Sequence, residues 1–189
     1  MSDRMPHVGA QLNPGKLENP TLAFLRDYWE SKRNGRLMPS RADIRPSELR
    51  EHLAWVIMAD VLNGGEDFRY RLIGTLVTEY FLTEATGKTI TESFEKKMGP
   101  AVTHAVLAVM RTATKERAPI HAFGAADAFA TGYEAFDAIF LPLSDDGQTA
   151  NVILHAFVFN RPEVLMARQI AKANGGQLPL RAKSLPGAA

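Results

Sequence analysis

His155 interrupts an otherwise apolar run from Val152 to Phe159 and is the side chain in this sequence best suited to specific chemistry. A buried histidine must find a hydrogen-bond partner, and a solvated one titrates near neutral pH. Asp60, Asp127 and Asp137 are the carboxylates that could join it in an acid–base pair of the isomerase or hydratase kind. His7, His52, His104 and His121 complete the histidines, and no two of the five have the helical i, i+4 spacing of a zinc site. Cysteine is absent, which excludes disulfides, thiolate metal sites and a thiol nucleophile. Gly87-Lys88-Thr89 looks like the end of a phosphate loop, but Leu82 stands where that loop needs its first glycine. These residues give no catalytic constellation and no metal site.

The elements that position them are clearest from Asp43 to Thr75. Pro46 suits a first helical position, and Leu49 and Leu53 then share a face, so a short helix is predicted over 46–53. Two β-rich runs, Ala54 to Leu62 and Asp67 to Gly74, flank Asn63-Gly64-Gly65-Glu66, a four-residue hairpin loop. Alternation sets Ile57, Ala59 and Val61 with Phe68, Tyr70 and Leu72 on one side, and Met58 and Asp60 with Arg69 and Arg71 on the other. Asp60 then lies opposite Arg69 and diagonal to Arg71.

Upstream, Asn19-Pro20 starts a helix whose Leu22, Leu25 and Trp29 share one face and which stops at Asn34-Gly35. Burying those three side chains is worth about 1.5–3 kcal/mol each, so the helix needs a surface to cover. Thr75 begins a further helix, broken at Thr86-Gly87-Lys88. A long amphipathic helix runs from Gly99-Pro100 to about Arg117, with Val102, Val106, Val109 and Met110 on its apolar face. His104 lies about 170° from the centre of that stripe and should face outward.

Strands follow at Pro119–Phe123, Tyr133–Leu143 and Thr149–Asn160, the last apolar on both alternating sets, so both sheet faces are covered there. Asp145-Asp146-Gly147 turns between the last two. A two-residue loop sets His155 opposite Ala138, and a three-residue loop sets it opposite Asp137. Sequence leaves that choice open. Residues 1–18 read as a flexible N-terminal segment, 19–162 as the domain, and 163–189 as a short helix carrying Val164, Leu165 and Ile170 followed by a disordered tail.

Twenty-two basic residues against 21 acidic leave a formal charge of +1, which asks for neither nucleic acid nor an acidic membrane surface. No run is long enough to span a bilayer and no apolar leader is evident, so a cytoplasmic protein is expected.

The order helix, hairpin, short helices, long helix and three strands resembles a PAS domain. It is closer still to a family of small bacterial proteins that carry one PAS domain and little else. The resemblance rests on Tyr28-Trp29, Lys32-Arg33, Gly35-Arg36, Pro39-Ser40-Arg41, Asp43-Ile44, Pro46, Leu49, Leu53, the run Tyr70 to Thr75, and Gly87-Lys88 before Ile90. It implies an α+β fold: a five-stranded antiparallel sheet, helices on one face, the N-terminal helix on the other. It also implies a signalling context, without an agreed cofactor or catalytic residues.

The expected function is a sensory or regulatory module acting through protein contacts, with a small apolar ligand between the long helix and the sheet. Tyr80, Val102, Val106, Val109, Met110, Phe140 and His155 are its expected surroundings. Leu22, Leu25, Trp29, Lys32, Arg33, Arg36 and Arg41 form the expected interaction surface, towards a second copy in a homodimer or an unidentified signalling protein. The alternatives are a ligand-free interaction scaffold and a small isomerase- or hydratase-like enzyme.

Overall fold

Asn19 accepts hydrogen bonds on its side-chain oxygen from the N–H groups of Thr21 and Leu22 (3.0 and 3.3 Å) and, with Pro20, starts α1 (Pro20–Arg33). Asn34, at φ 48°, turns left-handed and ends it. The structure, a computed structural model, describes residues 8–81, 85–126 and 135–160. The helix expected at 163–173 and the tail beyond it lie outside the described residues.

Among the described residues six strands form one antiparallel sheet: β1 (Val8–Leu12), β2 (Val56–Leu62), β3 (Asp67–Ile73), β4 (Ile120–Ala125), β5 (Ala135–Leu143) and β6 (Val152–Asn160). Their order is β1-β4-β5-β6-β2-β3. The architecture is α+β as expected, but with a sixth strand inside the segment expected to be flexible. β1 has little local β signal. It is held by partners distant in sequence, pairing Gly9 with Phe123 and Gln11 with His121, and Asn13 N donates to Pro119 O (2.8 Å).

Alternation along β5 and β6 feeds two separate cores. On one face Phe136, Ala138, Phe140, Ile153 and Phe157 pack with the stripe of the long helix, Val102, Val106, Val109 and Met110. On the other, Ile139, Leu141, Leu143, Leu154 and Ala156 pack with Leu22, Leu25 and Trp29 of α1. The apolar stripe of α1 therefore finds its surface within the chain. Leu22, Leu25 and Trp29 are at most 1% exposed, which removes them from the expected interaction surface.

The β2–β3 hairpin keeps its four-residue loop, with Asp60 opposite Arg69 and ion-paired to Arg71 at 2.7 Å. A bulge after Met58 sets both Tyr70 and Arg71 against Ala59. Leu72 consequently moves to the α1 face beside Met58, correcting the simple alternation. The loop is fastened from outside by Arg111, which donates to the carbonyls of Gly65 (2.9 Å) and Glu66 (2.6 Å).

The β5–β6 connection overturns both expected registers. Leu143 pairs with Val152, so the loop spans 144–151 and His155 stands opposite Phe140. The extra length is organised by Asp146, whose Oδ1 accepts from Ser144 Oγ (2.8 Å), Gln148 N (2.8 Å) and Thr149 N (2.6 Å). A side chain closing a wide turn has no signature in the Asp-Gly dipeptide that suggested a tight one.

The helix expected over 46–53 is shorter: α2 (Pro46–Leu49) gives way at Arg50, φ 26°, to a 3₁₀ turn over Arg50–Trp55. After β3 come α3 (Thr75–Phe81) and then α4 (Lys96–Glu116), entered through a wide turn at Thr91–Glu95. Gly99, at φ 81° and ψ 168°, breaks the backbone of α4 immediately before Pro100, where the expected long helix begins.

Candidate ligand-binding site

Between α4 and the sheet lies a cavity of about 30 Å³. Ile57, Tyr70, Ile73, His155 and Phe157 line it from the strands, and Val77, Ser93, Phe94, Lys97, Met98 and Val106 from the helical side. His155 reaches it because its register places it beside Ile57 on β2, on the α4 face of the central strand. The imidazole stacks on Phe140, with ring centres 5.2 Å apart and planes 12° from parallel, and meets Phe157 edge-on at 5.9 Å.

Neither His155 ring nitrogen has a hydrogen-bond partner, although the residue is only 1% exposed. Burial without compensation drives its pKa down to about 3, so the ring is neutral at physiological pH. Burial, with a smaller contribution from the charge of Asp67, also raises the Tyr70 phenol well above its ordinary value. The strand side of the cavity is thus apolar apart from two uncharged groups that can form hydrogen bonds.

Of the residues expected around a ligand, Val106 and His155 line this cavity. Val102, Val109 and Phe140 line a smaller void of about 10 Å³ nearby, which Val106 also touches. Met110 is fully buried in the same core and lines neither. The Tyr80 side chain lies outside the described residues. Sequence reading missed Tyr70 and Ile57 as wall residues, although their alternation had already put them on one face; it had no signal for Phe94, Lys97 and Met98, which depend on the path between α3 and α4.

The acid–base residues do not converge. Asp137 pairs across the sheet with Val158, and its carboxylate meets His121 Nε2 at 3.1 Å on the α1 face, opposite to His155. Asp60 is on that same face, tied to Arg71. Asp127 lies outside the described residues. The open possibility of an Asp137–His155 pair is therefore excluded by register. His104 is exposed on α4, and among the described residues no three His, Asp or Glu side chains come together as a metal site would need.

The basic residues expected to face a partner are each engaged within the chain. Lys32 meets Glu48 at 2.7 Å, Arg33 meets Glu30 at 2.8 Å, Arg36 meets Asp43 at 2.6 Å, and Arg41 donates to the Ile44 carbonyl at 3.1 Å. Tyr28 ties this corner together by donating to Glu48 (2.7 Å) and accepting the Arg45 N–H (3.0 Å). Its pKa is raised to about 12, chiefly by burial and with help from Glu48, against the lowering effect of the Arg45 N–H. These contacts fix the α1–α2 connection more than they present one charged patch.

The described residues thus form an α+β domain whose antiparallel sheet is covered on both faces, with a small, mostly apolar space between α4 and the sheet. The chain belongs to the PAS domain family, whose model matches residues 17–158. No curated protein and no solved structure matches the chain. Among the described residues no helix is long and apolar enough to cross a membrane.

Proposed function

We propose that this PAS domain is a sensory or regulatory module of the cytoplasm that binds a small, largely apolar ligand between α4 and the sheet and signals through protein contacts. The observation that carries this reading is His155: a buried side chain with two unpartnered nitrogens at the wall of a cavity. Native proteins rarely leave such groups unsatisfied without a role. A non-enzymatic role is supported by the separation of Asp60 and Asp137 from His155 across the sheet.

Because the stripe of α1 is consumed inside the chain, a homodimer or a signalling partner would use other surface. Among the described residues Leu12, Leu37 and Phe123 are the large apolar side chains that stay exposed, at 45%, 43% and 43%. Light scattering of the full chain at twice the monomer mass, abolished by Phe123→Glu, would support that route; a monomer in both cases would remove it.

The second reading is a ligand-free scaffold, favoured by the small size of the cavity, about 30 Å³. Val106→Trp separates the two. Under the ligand reading it abolishes ligand-induced thermal stabilisation while the circular dichroism stays native, since binding stabilises only if the site accepts ligand. If the variant unfolds and a metabolite screen never raises the melting temperature of the unmutated protein, the space is packed core and the scaffold reading holds.

A further inference from the structure

We propose that the occupant of this cavity is an uncharged, hydroxyl-bearing small molecule with an apolar body, its hydroxyl seated on the His155 imidazole. This deepens the ligand reading above and rests on it. A neutral imidazole carries one donor and one acceptor, and neither is used in the structure. A hydroxyl also carries both, so one group satisfies whichever nitrogen faces it, in either tautomer. A hydrocarbon alone would leave the ring as unsatisfied as it stands.

Charge at this depth is disfavoured for either sign. Phe140 covers one face of the imidazole and Phe157 abuts its edge, leaving little solvent to support an ion. The ring, neutral down to about pH 3, offers a carboxylate no countercharge. Among the described residues no Asp or Glu lines the cavity to receive an ammonium group. Lys97, the charged residue of the lining among the described residues, is exposed, so its ammonium belongs to the outer end. Tyr70 adds a second neutral hydroxyl to the wall, which fits the same ligand chemistry.

Size sets the ligand's direction. About 30 Å³ holds one or two waters, enough for the hydroxyl end. The apolar body would extend past Val77 and Val106 towards Met98 and Lys97, whose unbranched side chains can rearrange.

The test titrates the full chain with 1-hexanol, hexane, hexanoate and hexylammonium, reading affinity by calorimetry and the His155 ring nitrogens by ¹⁵N NMR. Hexanol should bind at least about tenfold more tightly than the other three and shift the His155 nitrogens. His155→Leu should still bind hexane but lose the preference for hexanol, and His155→Phe provides the same comparison if the leucine variant folds poorly. Equal binding of hexane and hexanol, or a preference that survives both substitutions, overturns the hydroxyl inference and leaves the ligand cavity standing. Tightest binding of hexanoate or hexylammonium overturns it too. Absence of binding by all four probes overturns both readings.

Discussion

Trp29 Nε1 donates a 2.7 Å hydrogen bond to the carbonyl oxygen of Pro142, joining α1 to β5 across 113 positions of sequence. The Leu143 carbonyl accepts from Asn151 N on the β6 side, so strand alternation turns the Pro142 carbonyl the other way. There β4 has already ended, its pairing with β5 stopping at Phe140. The indole thus satisfies a buried acceptor that no strand reaches, and the missing N–H of proline costs nothing at that place.

Trp29→Phe should therefore destabilise the domain by about 1–3 kcal/mol, because it keeps most of the packing and orphans the Pro142 carbonyl. Trp29→Ala should cost about 3–5 kcal/mol by emptying the α1 core as well. Urea denaturation measures both. Equal losses for the two variants would mean that the hydrogen bond contributes nothing of its own.

His155 makes the protein sensitive to acid in a defined direction. The unfolded chain protonates this ring near 6.5 and the folded chain near 3, so between those values only the unfolded state takes up the proton. Stability then falls as pH drops through 6.5, by about 1.4 kcal/mol per unit, or about 3 kcal/mol by pH 4. His155→Leu should remove that share of the pH dependence and stabilise the ligand-free protein at pH 7. Parallel stability–pH curves for the two proteins would contradict the burial of a neutral, unpartnered ring.

Much of this architecture is written in local patterns. Asn19-Pro20 announces α1, Asn63-Gly64-Gly65 announces the hairpin, and the Val102, Val106, Val109 stripe announces the apolar face of α4. What was not legible depends on partners far away in sequence. β1 exists because β4 offers it an edge, and Leu72 changes face because one residue is added opposite Ala59. The register at His155 depends on Asp146 closing a loop of eight residues, 144–151. The site followed the same division: Val106 and His155 were visible as members of an apolar helix face and an interrupted strand. Tyr70, Lys97 and Met98 join them only once the sheet order and the turn before α4 are known.

Gly74 is fixed by backbone proximity. A Cβ there would strike the carbonyl oxygens of Ala54 and Leu53, and main chain cannot swing aside as a side-chain tip can. Gly74→Ala should lower stability by about 1–3 kcal/mol or more, readable as a fall in melting temperature. An unchanged melting temperature would show that the 3₁₀ turn at Arg50–Trp55 can move away from β3.

Tyr28→Phe removes a hydroxyl that both donates to Glu48 and accepts from Arg45 N, and should cost about 0.5–1.5 kcal/mol. Above pH 10 the unmutated protein should lose stability faster than the variant. The unfolded phenol ionises near 10 while the folded one resists to about 12, so the folded state holds the extra proton in that window. Coincident alkaline unfolding of the two proteins would contradict this.

The place of β6 has a consequence for how the chain is made. It comes last among the described strands, yet it pairs with both β5 and β2 at the middle of the sheet. A ribosome therefore releases two half-sheets, β2–β3 and β1-β4-β5, before it delivers the strand that joins them. Until residue 160 has emerged, Ile57 and Phe140 on one side, and Met58 and Leu141 on the other, have no common neighbour to close over. Closure of this sheet consequently waits for β6, with long-range pairing as its final requirement, and until then the emerging chain carries two unfinished hydrophobic surfaces.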